Sequence, residues 1–85
     1  SYQRKFDKAE EILRKAISIR EKNNSPDLPV ALLNLGKVYA DQKKLSQAQV
    51  IYEKAFELFV ISEDKNFEAI IRVVSNLTLI YEDIG

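Results

Sequence analysis

The sequence contains no cysteine and no histidine, only two glycines and two prolines, and no excess of either charge. Without cysteine there is no disulfide, no thiolate nucleophile and no Cys-based metal site. Without histidine the commonest general base is missing as well. Thirteen Lys and Arg balance thirteen Asp and Glu, so the basic excess that phosphate contacts demand of a nucleic-acid binder is absent. The longest apolar run is far short of the roughly 20 residues a membrane helix needs, and no basic start followed by an apolar block marks a signal peptide. The acidic pairs Glu10-Glu11, Glu63-Asp64 and Glu82-Asp83 are adjacent in sequence, and neighbours on a helix do not face one another. No glycine-rich phosphate loop and no metal-ligand spacing is present. These absences predict a cytoplasmic chain that is not an enzyme, takes no cofactor or metal, and has neither a nucleic-acid nor a membrane partner.

What is present is helix-forming. Apolar residues make up 46% of the 85 residues and charged ones 31%, the balance of one small soluble domain near the lower size limit for a self-sufficient core. Phe6, Ala9, Ile12, Leu13, Ala16 and Ile17 recur at spacings of three and four, which predicts a first helix over 2–22. Asn23-Asn24-Ser25-Pro26-Asp27-Leu28-Pro29 ends it and starts a second helix over 28–42. Asp27 is placed to cap that helix, with Ser25 the alternative, and Pro29 falls in the first turn where its missing N–H is harmless. Lys43-Lys44 marks a turn before a third helix over 45–61. Ser62 to Asn66 is a further polar break before a fourth over 67–84.

The helices repeat. At an offset of 39 residues Phe6, Ala9, Ile12 and Leu13 fall on Leu45, Ala48, Ile51 and Tyr52. At an offset of 42, Asn34-Leu35, Val38-Tyr39 and Asp41 fall on Asn76-Leu77, Ile80-Tyr81 and Asp83. Two independent offsets near 40 indicate an array of helical hairpins. Gly36 in mid-helix costs about 1 kcal/mol relative to Ala, which predicts another helix packed directly over its backbone.

Leu32, Leu35, Gly36 and Tyr39, followed by Ala48, Tyr52 and Ala55, resemble the tetratricopeptide repeat motif. With a period near 40 they are similar to the longer repeats of kinesin light chains and of bacterial peptide-sensing regulators. The family's proline after the second helix is absent, and Thr78 stands where the earlier repeat has Gly36, a position expected to pack less tightly. The resemblance implies an all-α fold, with four antiparallel helices forming a fragment of a right-handed superhelix. It places helix 1 as the second half of a repeat and helix 4 as the first half of another. The chain therefore reads as a piece of a longer array, and the acidic Glu82 and Asp83 near a helix C-terminus fit that reading.

The resemblance further implies a module that binds a peptide or partner protein in a concave groove. Asn34 and Asn76 occupy the same place in two successive repeats, where the family's asparagines hold the backbone of an extended peptide. An amide both donates and accepts, as a peptide bond does. The same residues would equally serve by bonding a neighbouring helix or by facing solvent. Leu33, Lys37 and Asp41 share the stripe of Asn34 together with Val30, and Arg72, Leu79 and Asp83 lie near Asn76. Lys37 and Arg72 suit a carboxylate or carbonyl, or are simply solvated charges. Tyr39 and Tyr81 are expected between helices with their hydroxyls at the edge. The candidate peptide-binding set is Asn34, Lys37, Asn76, Leu33, Asp41 and Arg72. Two other functions fit the sequence: a signalling-peptide sensor, and a structural repeat that self-associates through uncapped ends, with Phe67 and Ile84 as the exposed contacts.

Overall fold

The computed structural model describes residues 1–84 and places them in four helices: α1 (Tyr2–Lys22), α2 (Leu28–Asp41), α3 (Leu45–Ile61) and α4 (Phe67–Ile84). The second ends one residue earlier than its apolar pattern predicts, with Gln42 as its C-cap. Each helix packs on its neighbours in sequence: α1 on α2, α2 on α3, and α3 on α4. The result is a flat stack of 38 × 30 × 17 Å.

Local chemistry explains where each helix stops. The C-caps of α1 and α2 share one geometry. After α1, Ser25 N–H reaches Arg20 C=O (2.9 Å) and Asn24 N–H reaches Glu21 C=O (3.3 Å). After α2, Lys44 N–H reaches Tyr39 C=O (3.0 Å) and Lys43 N–H reaches Ala40 C=O (2.9 Å). These are Schellman closures, which need a left-handed residue after the cap. Asn24 (φ 50°) and Lys43 (φ 63°) supply it. The N-termini are satisfied differently. Ser1 Oγ accepts from Arg4 N–H at 3.3 Å, and Asn66 Oδ1 accepts from Ala69 N–H at 3.1 Å. Asp27 occupies the N-cap of α2 but makes no side-chain capping bond. The Ser25 hydroxyl instead accepts the N–H of Asp27 at 3.2 Å, because the prolines on either side fix the chain in a turn there.

The core runs along the middle of the stack. α2 lies between α1 and α3 and buries Pro29, Ala31, Leu32, Leu33, Leu35, Gly36 and Tyr39, while α1, with one neighbour, buries only Ile17. Ala48 and Ala55 are wholly inaccessible; their small side chains let α3 approach both neighbours closely. The tightest contact is at Gly36: a Cβ there would stand 2.6 Å from Cε1 and 2.7 Å from Cδ1 of Tyr52. The predicted helix over the glycine is therefore α3, and the group filling the notch is an aromatic ring.

A polar clamp fastens α1 to α2. Tyr39 Oη donates to Glu10 Oε2 at 3.0 Å, Arg14 donates to the same hydroxyl, and Arg14 Nε pairs with Glu10 at 2.9 Å. The bond from Arg14 holds the Glu10 carboxyl below its ordinary range, and burial of Tyr39, with its bond to Glu10, pushes that phenol up. Tyr39 thus packs between helices with its hydroxyl at the edge. Tyr81, its counterpart on α4, is half exposed and reaches across to Glu53 Oε2 at 2.5 Å. It is an interhelical tether rather than a packed residue, because among the described residues no helix lies over that side of α4. Phe67 is exposed; the side chain of Ile84 lies outside the described residues.

Candidate functional site

α2 and α4 flank α3, and between them opens a cleft of about 630 Å³ lined by Leu33, Asn34, Lys37, Ala40, Asp41, Tyr52, Ile71, Arg72, Ser75 and Asn76. α2 forms one wall and α4 the other, with Tyr52 of α3 between them. All six candidate residues named from the sequence line it. Val30 does not, and Leu79 and Asp83 instead line a smaller adjoining recess of about 170 Å³ on the other side of Asn76.

The two asparagines are in different states. Asn76 Nδ2 donates to Tyr52 Oη at 3.3 Å, a bond to the neighbouring helix that leaves its carbonyl oxygen and second N–H uncommitted. Asn34 is exposed, and its side chain makes no hydrogen bond among the described residues. Arg72 is held by Glu68 at 2.8 Å, one helical turn away in a solvent-exposed pair. Lys37 and Asp41 are exposed and join no ion pair among the described residues. Leu33 is buried and gives the α2 wall its apolar part.

Tyr52 carries the electrostatics of the site. The residue is inaccessible yet belongs to the lining of both recesses. Burial, reinforced by the negative charge of Asp41 and opposed by the bond from Asn76, pushes its pKa up to about 12. The phenol is therefore a neutral donor and acceptor at any physiological pH. Asp41 is the carboxylate among the lining residues, and no group of three His, Cys, Asp or Glu that could hold a metal ion gathers among the described residues. The cleft brings together the amides of Asn34 and Asn76, the ammonium of Lys37, the carboxylate of Asp41 and the apolar side chains of Leu33 and Ile71.

Sequence reasoning missed Tyr52, Ser75, Ile71 and Ala40 as lining residues. Ser75 was within reach, since the offset of 42 that joins Asn76 to Asn34 joins Ser75 to Leu33. Tyr52 carries two roles, its ring filling the Gly36 notch and its hydroxyl holding Asn76, and only the first leaves a mark in the motif. No helix among the described residues is long and apolar enough to cross a membrane.

Comparison with known families matches residues 1–59 to the model described as "Tetratricopeptide repeat". The match covers α1, α2 and most of α3; the kinship of α4 to α2 rests on the offset and on shared packing. Neither the curated proteins nor the solved structures give a match.

Proposed function

The chain belongs to the tetratricopeptide repeat family, whose members generally mediate protein–protein interaction, and we propose that it binds an extended peptide segment of a partner protein in the cleft between α2 and α4. Repeats of this family are typically non-enzymatic, and the cleft chemistry agrees. The observation that carries the reading is the placement of Asn34 and Asn76. They stand 42 residues apart in sequence and line one open cleft, with one amide uncommitted and the other half committed. An extended backbone presents alternating N–H and C=O groups, and each amide satisfies one of each. Lys37 and Arg72, from opposite walls, supply charge for a carboxylate or carbonyl of the same ligand, and Leu33 supplies apolar contact. Offsets of 39 and 42 residues favour the longer repeats similar to those of kinesin light chains and bacterial peptide-sensing regulators.

The test is a selection of displayed random peptides on the wild-type chain, with the recovered sequences resynthesised and titrated by fluorescence anisotropy. Asn34→Ala is the informative variant, because Asn34 holds nothing else in place. Loss of about tenfold or more in affinity, the effect of one charge-free hydrogen-bonding anchor in a buried contact, supports the assignment. Peptides that bind Asn34→Ala and the Asn34→Ala/Asn76→Ala pair as tightly as the wild type place the binding surface elsewhere.

A further inference from the structure

The two asparagines of the cleft sit at equivalent places yet are held differently, and the side chain on the preceding helix accounts for it. The offset of 42 joins Asn34 to Asn76, and the offset of 39 joins Leu13 of α1 to Tyr52 of α3. The helix before Asn76 therefore carries a phenol where the helix before Asn34 carries an aliphatic side chain. Tyr52 Oη accepts from Asn76 Nδ2 at 3.3 Å. Leu13 has no polar group to offer, and Asn34 makes no side-chain hydrogen bond among the described residues.

The hydroxyl that holds Asn76 is itself firmly placed. Tyr52 is 1% exposed, and its ring fills the notch over Gly36, where a Cβ would stand within 2.7 Å of two ring carbons. Asn76 is half-buried and lines both recesses of the cleft. A short side chain tied to such an anchor keeps one rotamer, whereas an exposed one without a partner samples several. Nor does α4 depend on this bond for its docking on α3, since Ala69, Val73, Leu77 and Ile80 are buried along it.

We propose, on the reading that the cleft binds a peptide, that Tyr52 is a positioning residue for that ligand: its hydroxyl sets the Asn76 amide in its binding orientation before the peptide arrives. Setting a side chain beforehand removes the entropy that the ligand would otherwise lose in ordering it. The cleft then has one preset amide on α4 and one adaptable amide on α2. The device spans the stack, with the notch on α2, the phenol on α3 and the amide on α4. The contact that seats α3 over α2 thereby also aims a group on the far wall of the cleft.

Two measurements test this, the first without a ligand. NMR relaxation of the side-chain amide nitrogens in the free chain is expected to show Asn76 ordered and Asn34 averaged. In Tyr52→Phe, Asn76 is expected to become as mobile as Asn34. Equal mobility of the two amides in the wild-type chain, or an Asn76 amide unchanged in Tyr52→Phe, overturns the proposal.

The second is a cycle of affinities for the tightest library peptide recovered on the wild-type chain, with circular dichroism showing that each variant is folded. Tyr52→Phe is expected to weaken binding about threefold to tenfold, the cost of ordering one side chain on association. It should cost nothing further once Asn76→Ala is present, and its full cost should persist beside Asn34→Ala. An equal loss with and without Asn76 would mean a general loosening of α4 and overturns the proposal. Unchanged or tighter binding, which would mean that the phenol competes with the ligand for the amide, overturns it as well. Failure of the peptide reading itself looks different. There the wild-type chain recovers no peptide, or the asparagine variants bind like the wild type, and the role of Tyr52 falls with it.

Discussion

Replacing Gly36 by Ala sets two well-measured effects against each other, and the structure decides which wins. In an isolated helix the change is favourable by about 1 kcal/mol, because glycine has more backbone freedom to lose. Here the new Cβ would stand 2.6 and 2.7 Å from two ring carbons of Tyr52, where carbon atoms prefer about 3.5–4.0 Å. The ring must retreat by about 1 Å, and it has nowhere to go: it is 1% exposed, and its hydroxyl is tied to Asn76 on the next helix. Overpacking of this kind costs about 1–3 kcal/mol, and a rigid ring held at both ends belongs near the top of that range. The net expectation is destabilisation by about 2 kcal/mol, a drop in Tm of about 8–16 °C for a chain of this length. Urea unfolding gives the number directly, with the slope m unchanged. A double-mutant cycle with Tyr52→Leu isolates the cause. With the ring removed, Gly36→Ala should become neutral or stabilising by up to about 1 kcal/mol. An equal cost in both backgrounds would refute the argument that the ring is what the glycine accommodates.

Lys43 holds the left-handed position after α2, where a side chain costs about 1–2 kcal/mol; Lys43→Gly is expected to raise stability by about 0.5–1 kcal/mol after glycine's own entropy is counted, read as a higher urea midpoint. Asn66→Ala removes the bond that caps α4 and should cost about 1 kcal/mol, with faster amide exchange confined to the first turn of that helix. The Glu10 carboxyl titrates below its ordinary value of 4.5 in the folded chain, so the clamp contributes fully above about pH 4.5 and is lost as pH falls further; Glu10→Gln should flatten the acid side of the stability–pH curve. The phenol of Tyr52 works in the opposite sense. Its pKa rises from 10.0 to about 12, so between those values the unfolded chain releases the proton first and stability falls as pH rises. Tyr52→Phe should lessen that alkaline decline, followed by circular dichroism, with the raised phenol of Tyr39 supplying part of what remains.

The helices were legible because their punctuation is strong: prolines at 26 and 29, and polar runs around 23 and 62–66, interrupt apolar residues spaced by three and four. The shared cleft was legible in part, because a repeat places equivalent residues on equivalent faces, and one offset connects Asn34 to Asn76. The remainder depends on which atoms of distant residues meet. Lys43 gives no sign of a left-handed backbone, since the usual marker there is glycine. Asn66 lies within a polar run in which any member was a plausible cap. The bond of Arg14 to Tyr39 crosses two helices, and sequence spacing shows only the pairing of Arg14 with Glu10 along one. For Tyr81 the motif position promised packing, but packing needs a second helix over it, and that depends on what lies beyond α4.

α2 and α4 pack on α3 rather than on each other. The width of the cleft they enclose is therefore not a fixed length but an angle, set by how the two outer helices splay about the ring of Tyr52 and the two inaccessible alanines. A change in that splay would narrow or widen the cleft without unwinding a single helix, so its opening is set by packing on α3 and not by the helices' own hydrogen bonds.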